Sequence, residues 1–379
     1  MSDSIIYVGM DVHKDFVMMA VLPADAPRPT RVERVPNEPT HLRRFFRRWV
    51  PQGRVRACYE ASGAGYVLQR TLEGWGVECA VIAPALMPTR PGHQRKHDKR
   101  DAIELARLHR AGELVPIRIP TASEERVRDL VRCREVLQRE LIRARHYLVK
   151  FLARRGLVYR EGTPWAGPHE RWLQALARSG ALSAEDATVF GEYRALIAYV
   201  AQRRAELDRQ IAALALTPAY AASVARLRCF RGLETHAAMV LASEIGDWRR
   251  FTSPRPLMAY LGLVPREASS GTHERRGSIT KAGNSHCRHV LLQAAWSYRH
   301  VPARSERLQQ RQQGQQGQPA EVVAHAWKAQ QRLHRLYGRL AYRKRPAVAV
   351  VAVARELVGF LWAVMQDVAP AAEALAHVA

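Results

Sequence analysis

The sequence predicts an α/β sheet domain followed by a longer, mainly helical remainder. Three observations predict it. Short β-branched and aromatic runs alternate with amphipathic stretches up to about residue 82. A heptad pattern occupies residues 123–155, and helical spacing of apolar residues dominates the second half. The boundaries fall at residues 1–120 for the sheet domain, 121–216 for a helical coiled-coil region and 217–379 for a C-terminal helical domain.

The first stretch, IIYVGMDVHKDFVMMAVL at residues 5–22, reads as two hydrophobic strands joined by a polar turn at Val12, His13, Lys14 and Asp15. Asp11 stands where the first apolar run stops; an aspartate there can also simply cap the turn. Residues 30–35 read as a third strand, 41–49 as an amphipathic helix and 54–59 as a further strand, with Glu60 at its end. A helix over 66–75 and a strand over 77–82 complete a mixed sheet covered by helices. Ligands of α/β sheets gather at strand ends, where Asp11 and Glu60 stand.

Residues 93–112 supply a basic turn and a helix. Asp98 and Asp101 lie three apart near its start, on one face, where acids also suit the helix dipole. Four acids so placed can hold divalent metal through oxygen, with Mg²⁺ the usual ion when phosphate is the substrate. Two such ions can activate an attacking oxygen and stabilise the leaving one. Lys96, Lys99 and Arg100 interleave with the acids and can hold a nucleic-acid backbone beside the metal.

Val127, Leu130, Leu137, Leu141, Ala144, Leu148 and Phe151 follow steps of three and four, with Arg134 in the remaining slot. This seam serves either a dimer or a helix folded back on its own chain. A second helix over about 184–214 returns toward the start, and a helical hairpin is the simplest shape. Residues 226–246 hold a Gly-containing turn between two helical patterns, similar to helix–turn–helix elements that grip a DNA backbone. Residues 251–296 place a loop dense in Ser, Thr, Gly, Arg and Lys between two apolar helices. Ser269, Ser270, Ser278 and Ser285 are candidate nucleophiles there, and Arg275, Arg276 and Lys281 can neutralise a phosphate. Such residues also build ordinary loops. RLQQRQQGQQGQ at residues 307–318 reads as a mobile, solvated connector, and helices over 320–342 and 347–365 follow.

Lys and Arg number 59 against 35 Asp and Glu, a net charge of +24. Such an excess points to a polyanionic partner, nucleic acid first and an acidic membrane surface second. Five scattered cysteines form no CxxC pair, so neither a zinc finger nor a disulfide framework is indicated, and a reducing, cytoplasmic compartment fits. The apolar run at 347–365 carries Arg355 and Glu356 at its centre, so it is expected to be a buried helix of a soluble protein.

YVGMDVHK, CYEAS and HDKRDA, then LGLVPREASSG and RRGSITKAGN, together resemble the DEDD recombinases of insertion sequences and the related Piv-type DNA invertases. The resemblance spans nearly the whole chain in the expected order. It implies an N-terminal RuvC-like (RNase H-fold) domain, a coiled-coil insertion and a helical C-terminal transposase domain. Asp11, Glu60, Asp98 and Asp101 match the family's metal-binding acids, and Ser270 its nucleophilic serine, with Ser269 adjacent. The activity implied is DNA strand exchange through a phosphoserine link, assisted by Mg²⁺ (one or two ions, with Mn²⁺ as substitute). Members of the insertion-sequence branch use a structured bridge RNA to choose their DNA. They act as tetramers whose acids and serine come from different subunits, so the partners implied are double-stranded DNA, a guide RNA and further copies of the chain. The glutamine-rich stretch departs from the family pattern. A RuvC-like nuclease or junction resolvase without covalent intermediate, and a non-catalytic nucleic-acid-binding protein, are the competing readings.

Overall fold

A computed structural model describes residues 4–88, 97–267, 276–314 and 317–371. It divides into two compact units, residues 1–119 and 120–379.

The first unit is a five-stranded sheet with helices on both faces. Its strands are β1 (Ile5–Val12), β2 (Phe16–Pro23), β3 (Arg31–Pro36), β4 (Arg54–Glu60) and β5 (Glu78–Ile82). The order is β3-β2-β1-β4-β5; β2 is antiparallel to both neighbours, and β1, β4 and β5 are parallel. Alternation along the strands sorts the side chains. Ile6, Val8 and Met10 bury against α1 (Pro39–Phe46) and α2 (Val67–Glu73), through Leu42, Phe45, Phe46, Leu68 and Leu72. Tyr7, Met18, Ala20 and Leu22 bury on the other face, against Ala102 and Ala106 of α3 (Asp98–Ala111).

Gly9 lies on that second face. A Cβ there would overlap the Ala102 carbonyl oxygen and the Ala106 backbone nitrogen. Glycine therefore lets α3 lie directly on β1, and the Cys58 thiol, opposite Gly9 on β4, approaches the Leu105 carbonyl at 3.6 Å. The chain after α3 returns along β5, where Ile117 donates to the Val81 carbonyl at 2.8 Å.

In the second unit, α4 (Ala122–Ala153) and α6 (Ala184–Leu214) form an antiparallel hairpin. Arg134 pairs with Asp208 at 2.7 Å, and Arg155, near the other end of α4, pairs with Asp186. Thr121 caps α4 through a reciprocal box with Glu124. The heptad seam is filled from within the chain. Leu141, Ala144, Leu148 and Phe151 pack with Phe190, Ile197 and Val200 of α6 and Leu173 of α5 (Gly167–Arg178). Of the two uses open to the seam, its Leu141–Phe151 part serves a helix folded back on its own chain, with α6 supplying the facing apolar stripe. α5 opens at Gly167, with Pro168 in its first turn, where a proline costs no helical hydrogen bond.

The rest of this unit packs around one helical core. α7 (Ala221–Leu227) and α8 (Thr235–Ile245) flank a turn, and α9 (Pro254–Tyr260) leads to a two-stranded ribbon, β6 (Pro265–Glu267) with β7 (Arg276–Ile279). Then follow α10 (Ser285–Trp296), α11 (Glu306–Gln313), α12 (Ala320–Ala341) and α13 (Pro346–Val364). α11 corrects the expected mobile connector. Ser305 caps it, Leu308 is buried, and Gln312 donates to the Cys229 carbonyl at 3.1 Å. α13 is long and apolar enough to cross a membrane, yet Val353, Ala354, Leu357 and Leu361 are fully buried in the helical core. Its apolar character is that of a core helix.

Gly9→Ala is expected to lower the unfolding free energy of the first unit by about 3 kcal/mol, since helix backbone must retreat. Urea denaturation measures this; an unchanged midpoint would show that α3 can shift without loss.

Candidate active site

The site in the first unit forms where β1 ends and α3 begins. The Gly9 contact fixes the two elements side by side, and α3 runs back along β1. Two residues beyond Gly9 stands Asp11; one turn before Ala102 stands Asp98. Their carboxylates approach the same imidazole. His13 Nε2 lies 3.1 Å from Asp11 Oδ2 and 3.6 Å from Asp98 Oδ2. The three donor atoms lie within 4.8 Å of one another. All three residues are partly buried.

The hairpin holds His13 in place. Its backbone nitrogen donates to Phe16, closing the turn, and its ring stacks on Phe16 at 4.5 Å. Asn37 donates to the His13 carbonyl at 2.8 Å. Two carboxylate oxygens and an imidazole nitrogen make a donor set that fits a divalent cation. Sequence reasoning passed over His13 as part of a polar turn. The available signal was its position two residues after Asp11, which returns a side chain to the same face of an extended chain.

Met10 lies opposite Tyr59, so Asp11 and Glu60 follow one step on, at the same ends of adjacent parallel strands. Glu60 is exposed, and Asp101 lies in the first turn of α3; their oxygens fall outside the three-atom grouping. Lys99 and Arg100 are exposed on that same turn, while Lys96 lies outside the described residues. A cleft of about 650 Å³ adjoins the site, lined by His13, Lys14, Asn37, Ser62, Gly63 and Thr71 among others.

The serine segment belongs to the second unit. Ser269, Ser270 and Arg275 lie outside the described residues. Arg276 opens β7, and Lys281 is exposed in the loop before α10, with a left-handed φ of 56°. The framework on either side of the segment is tightly fixed. Gly283, at φ 73°, lies so close to Tyr260 that a Cβ would overlap its carbonyl oxygen, and Gly262 meets Ala282 in the same way. Arg288 donates to the carbonyls of Leu261 at 2.9 Å and Ala282 at 3.1 Å.

Beneath this framework lies a buried polar hub. Glu244, 1% exposed, accepts from Arg132 Nε at 2.6 Å and Nη2 at 2.9 Å, and from Asn284 Nδ2 at 2.7 Å. Asn284 in turn caps α10 by accepting from the Cys287 nitrogen at 3.0 Å. Arg128 donates to the Ser243 and Glu244 carbonyls at the end of α8. Burial opposes ionisation of Glu244, but Arg132 and Asn284 outweigh it and hold its carboxyl below the usual range. His236, about two turns earlier on α8, is pushed down to about 4 by burial, reinforced by Arg134.

The sequence also matches known proteins. Residues 8–155 match a family model described as a transposase, the DEDD type of IS110 elements. Residues 224–310 match the transposase family of IS116, IS110 and IS902. The transposase y4qE of Sinorhizobium fredii is 40% identical over 321 residues, 83% of this chain and 76% of that protein. The transposase of insertion sequence IS1533 from Leptospira borgpetersenii is 30% identical over 344 residues, 90% of this chain and 98% of its own.

The chain belongs to the IS110 family of transposases.

In this IS110-family transposase the two matched regions contain the two centres just described. The first carries β1, β4 and α3 with their acids; the second carries the Glu244–Asn284 hub and the ribbon flanking the serine segment.

Acid stability follows from His236 and from the hub. His236 binds a proton more readily unfolded than folded, so its share of stability is present above pH 6.5 and fades as pH falls toward 4. Glu244 adds a second loss, below its unfolded value of about 4.3. His236→Gln is expected to remove the first phase of an acid-unfolding profile and leave the second. A wild-type profile flat from pH 7 to about 4.5 would refute this assignment.

Proposed function

We propose that the protein is the recombinase of its insertion sequence, exchanging DNA strands through a covalent phosphoserine intermediate. The observation that carries the reading is the meeting of Asp11, His13 and Asp98 at the β1–α3 junction. The strand order, with β2 antiparallel among four strands of one direction, supports a RuvC-like (RNase H-fold) domain over residues 1–120. Residues 121–216 then form the helical insertion, and residues 217–379 the C-terminal transposase domain.

Asp11, Glu60, Asp98 and Asp101 are the proposed metal-binding acids, with His13 added as a further ligand. Mg²⁺ is the proposed ion and Mn²⁺ its substitute; when bound, it supplies charge neutralisation at the phosphate and lowers the pKa of a coordinated oxygen nucleophile. Asp11 and Asp98, on separate elements, fix the donor geometry, and Lys99 and Arg100 sit where a DNA backbone beside the acids would be held. Ser270 Oγ is the proposed nucleophile. It loses its proton, forms a bond to a DNA phosphorus and displaces the sugar oxygen of one strand, which takes up a proton. Religation to another strand reverses the step and frees the serine. Arg275, Arg276 and Lys281 would offset the phosphate charge during transfer.

A bridge RNA as guide for donor and target, and a dimer-to-tetramer assembly in which acids and serine come from different subunits, are carried over from the family resemblance. Action in the cytoplasm, at the nucleoid when bound to DNA, is the compartment that the scattered, unpaired cysteines fit.

The test is covalent trapping with Mg²⁺, labelled element-junction DNA and RNA transcribed from the element's flank. Wild-type protein is expected to give a denaturant-resistant adduct. Ser270→Ala should abolish it, and Asp11→Asn should reduce it about 10³-fold or more, whereas Ser269→Ala keeps it. Cut DNA without an adduct would establish a RuvC-like nuclease instead.

A further inference from the structure

The second unit contains a cationic groove whose lining residues belong neither to the acid cluster nor to the serine framework. It is bounded by the end of α6, by α7, by the start of α8 and by α11, and encloses about 1130 Å³. Arg228, Arg307, Arg311, Glu234, Thr235 and Gln310 provide its polar lining, over a floor of small residues such as Ala222 and Ala225.

The charges in this groove do not balance. Glu234 is shared by Arg311, at 2.7 Å, and Arg307, at 3.4 Å. Arg311 also donates to the Leu233 carbonyl at 3.1 Å, which pins α11 to the α7–α8 turn. Arg228 has no ion pair among the described residues. Its Nε is buried without an acceptor, and so is the Nε of Arg311. Burial first, then repulsion from Arg311 and Arg307, lower the basicity of the Arg228 guanidinium, and attraction from Glu234 and Cys229 offsets them only in part. Arg228 as a whole is only partly buried, yet a guanidinium with a buried, unsatisfied Nε and no ion-pair partner is costly to keep unless something supplies its counter-charge.

We propose that this groove binds the phosphodiester backbone of a nucleic acid, with Arg228 and Arg311 as its inner anion contacts and Arg307 at its mouth. The volume far exceeds one phosphate, and the small-residue floor admits a sugar–phosphate chain. Planar guanidiniums with free N–H groups match phosphate oxygens. Glu234 acts as an internal stand-in that occupies Arg307 and Arg311 until phosphate arrives. DNA and RNA share this backbone chemistry, and the assay must separate them. α11 completes the groove, so the glutamine-rich stretch that departs from the family pattern acquires a role: it carries two of the three arginines.

The experiment measures equilibrium binding by the full chain, using fluorescence anisotropy across a salt series. One arm uses a duplex DNA of element-junction sequence; the other uses a stem–loop RNA of equal length. Arg228→Gln is expected to weaken binding about fivefold or more and to reduce the slope of log K against log salt by about one, in the arm whose ligand uses the groove. Glu234→Gln should act oppositely and tighten binding. Arg178→Gln, an exposed charge on α5, serves as the control for bulk electrostatics. Arg228 has no partner to lose, so its variant should melt at or above the wild-type temperature. Should it fail to fold, Arg307→Gln at the exposed mouth gives the same test. Changes in both arms no larger than those of Arg178→Gln would overturn the proposal. The readout is binding alone, so its failure is distinct from failure of the strand-exchange reading.

Discussion

The backbone contact between β1 and α3 at Gly9 is the constraint on which the acid cluster depends. From Gly9 to Asp11 the strand advances about 6.6 Å, and from Ala102 back to Asp98 the helix retreats about 6 Å. Because the two elements run in opposite senses, those steps carry both carboxylates the same way, and they arrive together at His13. A side chain at position 9 would push the helix outward by roughly a methyl group's width and separate them. Two acids 87 positions apart in sequence thus become neighbours through a missing side chain.

The second unit solves a related problem with charge. The residues flanking β6 and β7 rest on a framework whose central group is Glu244. Its carboxylate satisfies Arg132 of the hairpin and Asn284 of the loop before α10, and Asn284 passes the constraint to α10 as its cap. Arg128 meanwhile answers carbonyls at the end of α8 that the helix itself leaves open. A buried network of this kind is tolerable only because each member has a partner. It also joins the long hairpin to the serine framework, so a tilt of α4 would be felt at Asn284.

The sequence announced most elements, for a physical reason. Alternation in β1 and β2, and heptads in α4, report which faces are buried. They do not report what buries them. Hence the seam through Leu141, Leu148 and Phe151 was readable, while α6 as its occupant was only one of two options. α11 escaped because glutamine repeats resemble solvated linkers; the Ser305 cap and a single leucine, Leu308, decide otherwise. At the site, Asp11 and Glu60 were visible as acids closing apolar runs, and Asp98 as an acid opening a helix. His13 was not, since its role arises only when α3 brings Asp98 across. Ser270 could be distinguished from its neighbours only by family resemblance, because no local pattern separates one loop serine from another.

The charge of +24 needs the same discrimination. Many of the arginines that produce it are engaged in holding the fold. Arg132, Arg134, Arg155 and Arg194 each have a carboxylate partner, and Arg128 is spent on carbonyls. Such groups raise the net charge without offering a phosphate anything new. The informative cations are those whose surroundings leave their charge unanswered, for which an incoming phosphate replaces nothing and relieves repulsion. By that criterion a partly buried arginine without a carboxylate says more about a polyanionic partner than the total does, because salt and water already screen the exposed charges.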